Sequence, residues 1–133
     1  MVYKPIIVVA GEPNSIFSEI FFKSLKNKSF KSPIILIASK NLIELQMKKL
    51  KVKKKIRLIT FSNIKNNYLD NKKINLFDVG FKQRKAFEKI SSKSNGYIQK
   101  SFYIALKILN QKITNKFING PISKKFFLKK RYL

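Results

Sequence analysis

Two uninterrupted apolar runs open the chain, Pro5 to Ala10 (PIIVVA) and Pro33 to Ala38 (PIILIA). Both are rich in β-branched residues and neither alternates with polar ones, which is the pattern of strands covered on both faces in a parallel sheet. The segment between them has the length of a helix. Ser15 or Asn14 is placed to cap it, and Ile16, Ile20 and Phe17, Phe21 repeat at i, i+4 before a polar stop at Asn27 to Ser29. Together these make a βαβ unit of ordinary size.

A second helix is predicted from Asn41 to Leu50. Asn41 and Glu44 have the spacing of a capping pair, and Ile43, Met47 and Leu50 fall on one face. A third strand is predicted at Ile56 to Phe61, so that the pattern runs strand, helix, strand, helix, strand, with right-handed crossovers. Ser62 to Lys73, rich in Asn, reads as a loop, and Ile74 to Val79 as a short strand. Gln83 to Ile90 is a weaker helical candidate. Asn95-Gly96 then breaks the pattern ahead of a stronger helix, with Ile98, Phe102, Ala105, Leu109 on one stripe and Tyr97, Ser101, Ile104, Ile108 on another. Two apolar stripes predict burial around much of its circumference. Lys116 to Asn119 reads as a buried strand entering Gly120-Pro121, and Ser123 as the cap of a last helix running toward Leu133. The fold class that emerges is α/β, in one domain or part of one.

Composition limits the chemistry. Among 133 residues there is no Cys and no His, which removes thiol nucleophiles, disulfides, imidazole acid/base groups and Cys/His metal sites. The formal charge is +24, from 30 basic against 6 acidic residues. Lys supplies 27 of the basic residues, and Lys, Ile, Asn and Phe make up more than half of the chain. All four have A/T-rich codons, so a genome biased toward A and T accounts for the charge without selection for polyanion binding. Only Arg57, Arg84 and Arg131 offer the planar fork that base and phosphate readers favour. Non-specific contact with nucleic acid is still expected from so positive a field. The apolar runs are far shorter than the roughly 20 residues of a membrane span, and the first is too short for a signal-peptide core. The expectation is a soluble, cytoplasmic protein without a membrane partner.

Glycine is scarce, at four residues, so its positions are informative. Gly11 ends the first strand and Gly120 a later one, and ligands of open α/β sheets bind outside the carboxyl ends of the strands. Both glycines are equally explained as turns that need backbone freedom. Lys124 follows Gly120 by four residues near a helix start, where N–H groups and an ammonium could meet a phosphate, although one Lys among 27 is weak evidence. Glu12 reads as an acid, a metal neighbour or a simple loop carboxylate. There is no Walker loop, no G-x-G-x-x-G and no triad.

Two segments carry a resemblance. KPIIVVAGEPNSIFSEIFFK is similar to the first strand, loop and helix of the 4-hydroxythreonine-4-phosphate dehydrogenase family, whose pattern there is Gly-Asp/Glu-Pro-Ala-Gly-Ile-Gly-Pro-Glu; Gly11, Glu12, Pro13, Ile16 and Glu19 match it. NGYIQKSFYIALKILNQKITNKFINGPISK resembles the same family's later helix and its Gly-Pro-(Ile/Val)-x-Lys turn, matched by Gly120, Pro121, Ile122 and Lys124. Asn14-Ser15 stands in place of Ala-Gly, and Phe17-Ser18 in place of Gly-Pro, so two residues suited to positive φ are absent.

The resemblance implies an isopropylmalate-dehydrogenase-like α/β/α sandwich with buried, mainly parallel strands. Residues 1–133 would be the amino-terminal portion of a two-domain dehydrogenase, and the carboxyl-terminal catalytic portion would lie beyond Leu133. The implied activity is NAD-dependent oxidation and decarboxylation of 4-phosphohydroxy-L-threonine to 3-amino-2-oxopropyl phosphate in pyridoxal 5′-phosphate biosynthesis. It implies NAD and a divalent metal ion (Zn, Mg or Co) in a full-length homodimer. No catalytic residue and no metal ligand would lie in this chain, and alone it would bind neither cofactor and be inactive. The implied cleft-lining residues are Gly11, Glu12, Pro13, Gly120, Pro121 and Lys124. One alternative is a dehydrogenase of phosphorylated threonate or erythronate. Another, from a different class, is a small basic RNA- or ribosome-binding module, supported by the runs Lys48 to Lys55 and Lys124 to Arg131.

Overall fold

The computed structural model describes residues 3–66 and 69–127. Five parallel strands form one sheet: β1 (Ile6–Val9), β2 (Ile34–Ala38), β3 (Ile56–Leu58), β4 (Ile74–Asp78) and β5 (Lys116–Asn119), in the order β3-β4-β2-β1-β5. The helices are α1 (Phe17–Asn27), α2 (Lys40–Lys49), α3 (Phe61–Asn66), α4 (Asn95–Asn110) and α5 (Lys124–Phe127).

The unbroken apolar runs have a direct structural meaning. Side chains of a strand alternate between faces, so Ile7 and Val9 join Ile35, Ile37 and the α4 residues Tyr97, Ile98, Ala105 and Ile108 in one core. Val8, Ala10, Leu36 and Ala38 join Phe21, Phe22, Ile43 and Met47 of α1 and α2 in a second core on the opposite face. The result is a three-layer α/β/α arrangement in which β1 and β2 have no solvent face. Ile7, Ile35, Leu36 and Ile37 are each fully buried, contributing about 1.5–3 kcal/mol apiece relative to exposure.

The expected burial does not extend to the rim. β5 pairs only with β1 among the described residues, and Lys116, Ile118 and Asn119 are exposed, so the strand leading to Gly120 is an edge and not a buried strand. β3 is the other edge.

Several local expectations are corrected. The α1 N-cap is Ile16, which offers no side-chain acceptor; the Ser15 hydroxyl accepts from Phe17 N–H instead, at 3.2 Å. A helix on a sheet presents one stripe inward: Phe21 and Phe22 take it, and Ile16 and Ile20 point to solvent. The cap of α2 is Ser39 and not Asn41, its extended backbone letting Oγ accept from Leu42 N–H at 3.3 Å, while Glu44 pairs with Lys40 at 3.4 Å. β3 stops at Leu58 because Asn63 Oδ1 accepts from Thr60 N–H at 2.8 Å, which starts α3 at Phe61 where strand and then loop are predicted.

The weaker candidate, 83–90, is not helical. Its polar groups are engaged elsewhere: Glu88 N–H donates to the Asn14 side chain, and Ala86 O accepts from Gln46. Asn95 and Gly96 form the first turn of α4 instead of breaking ahead of it. The predicted continuation of the last helix past Phe127 lies outside the described residues. No helix among the described residues is long and apolar enough to cross a membrane.

Candidate functional site at the carboxyl edge of the sheet

The loop after β1 and the loop after β5 cross at the carboxyl end of the parallel ladder. Gly120 N–H donates to Val9 O at 2.7 Å, extending the β1–β5 pairing by one residue, and Glu12 N–H donates to Pro121 O at 2.8 Å. Gly11 has φ +75°, a conformation suited to glycine. A Cβ on Gly11 would sit 2.6 Å from Pro121 O and 2.8 Å from Gly120 O. A Cβ on Gly120 would collide with Ala10 O and reach within 2.7 Å of the Phe17 ring. Each glycine is therefore required by the backbone of the other loop, and Gly11, Glu12, Pro13, Gly120 and Pro121 form one unit.

Glu12 is the buried carboxylate of this unit, at 3% exposure. It accepts from Asn14 N–H at 3.1 Å and from the Ser94 hydroxyl at 3.0 Å. A buried charge needs such partners to avoid a large desolvation cost. With both oxygens engaged inside the fold, Glu12 holds the start of α4 to the β1 loop.

The same loop is clamped from the side by Asn14 together with Gln83 and Gln46, to which the sequence assigned no part in the site. The Asn14 and Gln83 side-chain amides exchange two hydrogen bonds, Asn14 Nδ2–H to Gln83 Oε1 at 3.0 Å and Gln83 Nε2–H to Asn14 Oδ1 at 2.7 Å. Gln46 Nε2 donates to Pro13 O at 2.8 Å and to Ala86 O at 3.0 Å. Asn14, one of the departures from the Ala-Gly pattern, thus fixes the 81–88 segment over the β1 loop. Gln46 carries a visible signal, because it is a polar residue on the buried stripe of α2 beside Ile43 and Met47. Nothing local marks the Asn14–Gln83 pair.

Tyr97 closes the floor from α4. Its hydroxyl accepts from Ser39 N–H at 3.1 Å, and its ring packs 5.0 Å from that of Phe81. Burial pushes its pKa far above the ordinary tyrosine value, the bond from Ser39 opposes this, and the charges of Asp78 and Glu12 add to the upward shift.

Lys124 stands apart. It is exposed at the start of α5, and no hydrogen bond or ion pair joins it to the Gly11–Pro13 loop among the described residues. The segment 122–127 that carries α5 is anchored by Ile122 and Phe127 against the α4-side core and by Asn95 Nδ2–H donating to Phe126 O at 2.9 Å. Of the six expected cleft residues the structure brings five together and leaves the sixth on the neighbouring surface. Among the described residues no group of three His, Cys, Asp or Glu side chains could hold a metal ion.

No protein-family model matches the chain, and no curated protein sequence matches it significantly. Solved structures do. A 4-hydroxythreonine-4-phosphate dehydrogenase from Burkholderia phymatum superposes with a TM-score of 0.80 at 17% identity, over 94% of this chain and 38% of that one. A 4-hydroxythreonine-4-phosphate dehydrogenase from Klebsiella pneumoniae gives a TM-score of 0.76 at 16% identity, over 92% of this chain and 38% of that one. The chain therefore spans about two fifths of the length of these structures. Over nearly all of its described length, it has the α/β fold seen in these dehydrogenases.

Proposed function

We propose that the chain is the amino-terminal portion of an enzyme of the 4-hydroxythreonine-4-phosphate dehydrogenase family, as its two matching motifs imply. The observation that carries this reading is the interlock of Gly11 and Gly120. The two short motifs are separated by more than a hundred residues in sequence and meet at the sheet edge where α/β folds bind ligands. A chance resemblance of two peptides does not require them to be mutually dependent in space.

In the completed enzyme the reaction is the NAD-dependent oxidation of the secondary hydroxyl of 4-phosphohydroxy-L-threonine, followed by decarboxylation to 3-amino-2-oxopropyl phosphate. On this reading the metal ligands are assigned to the part of such an enzyme that residues 1–133 do not include. What this chain contributes is position. Gly11, Glu12, Pro13, Gly120 and Pro121 shape the wall of the cleft, and Glu12 holds that wall to α4 through Ser94. Lys124 is assigned to the substrate phosphate as an exposed ammonium beside the Gly120-Pro121 turn. A cytoplasmic homodimer is the assembly that goes with this reading.

A chimera of residues 1–127 with the complementary part of the Burkholderia phymatum enzyme tests the assignment. NADH formation with 4-phosphohydroxy-L-threonine, and kcat/KM at least ten-fold lower with phosphorylated threonate or erythronate, is the expected result. A folded chimera that prefers the phosphorylated sugar acids would move the chain to that relative, and a folded chimera with no dehydrogenase activity would overturn the reading.

A further inference from the structure

A second feature of the carboxyl edge is separate from the glycine turns and from Lys124. The 81–94 segment and Asn14 line a basin of about 600 Å³ that is open to solvent and bordered by the exposed side chains of Lys82, Arg84, Lys89 and Lys93. We propose that this basin binds the phosphate group of a multiply charged small molecule.

Charge is the first argument. Glu88 is the only carboxylate lining the basin, and its Oε2 accepts from Lys85 N–H at 3.3 Å. None of the four cations has an ion-pair partner among the described residues. Four cations against one carboxylate leave about three positive charges, enough to neutralise a phosphate group, which carries roughly −1.5 to −2 near neutral pH.

Chemistry is the second. Arginine is rare in this chain, and Arg57 is committed to Asp70 and Asn75. Arg84 is thus the one arginine among the described residues whose guanidinium is left free to take a phosphate bidentately.

Construction is the third. The basin is held open by the Asn14–Gln83 amide pair on one side and, at its floor, by Ser94, whose hydroxyl is fixed on buried Glu12. The groove between α1 and the 50–54 segment is richer in lysine, but it has no arginine and its Lys23 is already paired with Glu19 at 3.3 Å. Volume also fits, since cavities of about 300–1,000 Å³ accommodate small-molecule ligands.

The test is calorimetric titration of the 133-residue chain with inorganic pyrophosphate at fixed ionic strength, comparing R84A/K93A with K53A/K54A. Both variants lose two positive charges, so they alter the overall field equally and differ only in place. Circular dichroism establishes that both keep the parent fold, and R84K provides a milder change that retains the charge but removes the fork. The expected result is saturable binding that weakens at least ten-fold in R84A/K93A and several-fold in R84K, and stays within two-fold in K53A/K54A. Equal weakening in the two double variants, or no saturable binding by the parent chain, would overturn the proposal. A single-stranded oligonucleotide that loses more affinity than pyrophosphate on R84A/K93A substitution would also overturn it, by assigning the basin to nucleic acid.

Discussion

Gly11 and Gly120 are mutually exclusive of side chains: a Cβ on either would strike the backbone of the loop that carries the other. The relationship joins the first strand to the last described one through atoms that cannot give way. Substituting Ala for Gly120 forces the β1 and β5 loops apart, at an expected cost of about 2–4 kcal/mol. Gly11→Ala meets a less severe clash, 2.6 Å from Pro121 O, but adds the strain of a positive φ, and is expected to cost about as much. Chemical denaturation of the two single variants and of the double variant measures this. Because one separation of the loops relieves both clashes, the double variant should lose clearly less than the two single losses added together.

The Asn14–Gln83 pair makes a second prediction. Asn14→Ala removes both amide bonds and the acceptor for Glu88 N–H, and should cost roughly 1–3 kcal/mol. Gln83→Ala should cost less, and a double-mutant cycle should show a coupling of about 0.5–1.5 kcal/mol. Amide hydrogen exchange in residues 81–88 should accelerate in Asn14→Ala while exchange in β2 is unchanged.

Tyr97 gives a dependence on pH. Burial raises its folded pKa above the unfolded value of 10.0, so below pH 10 the hydroxyl is protonated in both states and its contribution to stability is fully present. Above pH 10 the unfolded chain loses the proton that the folded chain keeps, and stability falls as pH rises. Tyr97→Phe should be less stable at neutral pH by about 1–3 kcal/mol, since Ser39 N–H loses its acceptor, and should lose less on going from pH 9 to pH 11 than the parent does. Thermal denaturation at a series of pH values distinguishes the two slopes.

How much of this was readable from the sequence differs from residue to residue. The runs Ile6–Val9 and Ile34–Ala38 announce two-sided burial by composition alone, because no polar residue interrupts them. The pairing order is less accessible. β4 inserts between β3 and β2, and nothing in the spacing of Ile56–Leu58 and Ile74–Asp78 shows that the later strand takes the inner place. Helix starts differ for a local reason: Ser39, as good a cap as Asn41, has the extended backbone that lets its hydroxyl cap α2, whereas in α1 the backbone gives the cap position to Ile16 and leaves the better side chain of Ser15 one residue outside. The meeting of Gly11 with Gly120 was suggested by their places at strand ends. The clamp was hidden, since Asn14 and Gln83 are joined across 69 residues by hydrogen bonds that no local pattern encodes.

Lys124 is distinguished from the other lysines only by the motif that contains it. In the chimera with a completed cleft, Lys124→Ala should raise the Michaelis constant for the phosphorylated substrate about ten-fold or more, with kcat little changed. Lys53→Ala, in the basic run between α2 and β3, should leave it within two-fold. Equal effects at the two positions would remove Lys124 from the site.

The most direct measurement is NADH formation by the purified 133-residue chain itself, supplied with 4-phosphohydroxy-L-threonine, NAD and a divalent metal ion. The chain holds the fold and the glycine interlock but no cluster of metal-ligating side chains among its described residues, so the predicted rate is that of the mixture without protein. Turnover above that background would contradict the assignment of the chain as a portion that depends on the remainder of the enzyme for its chemistry.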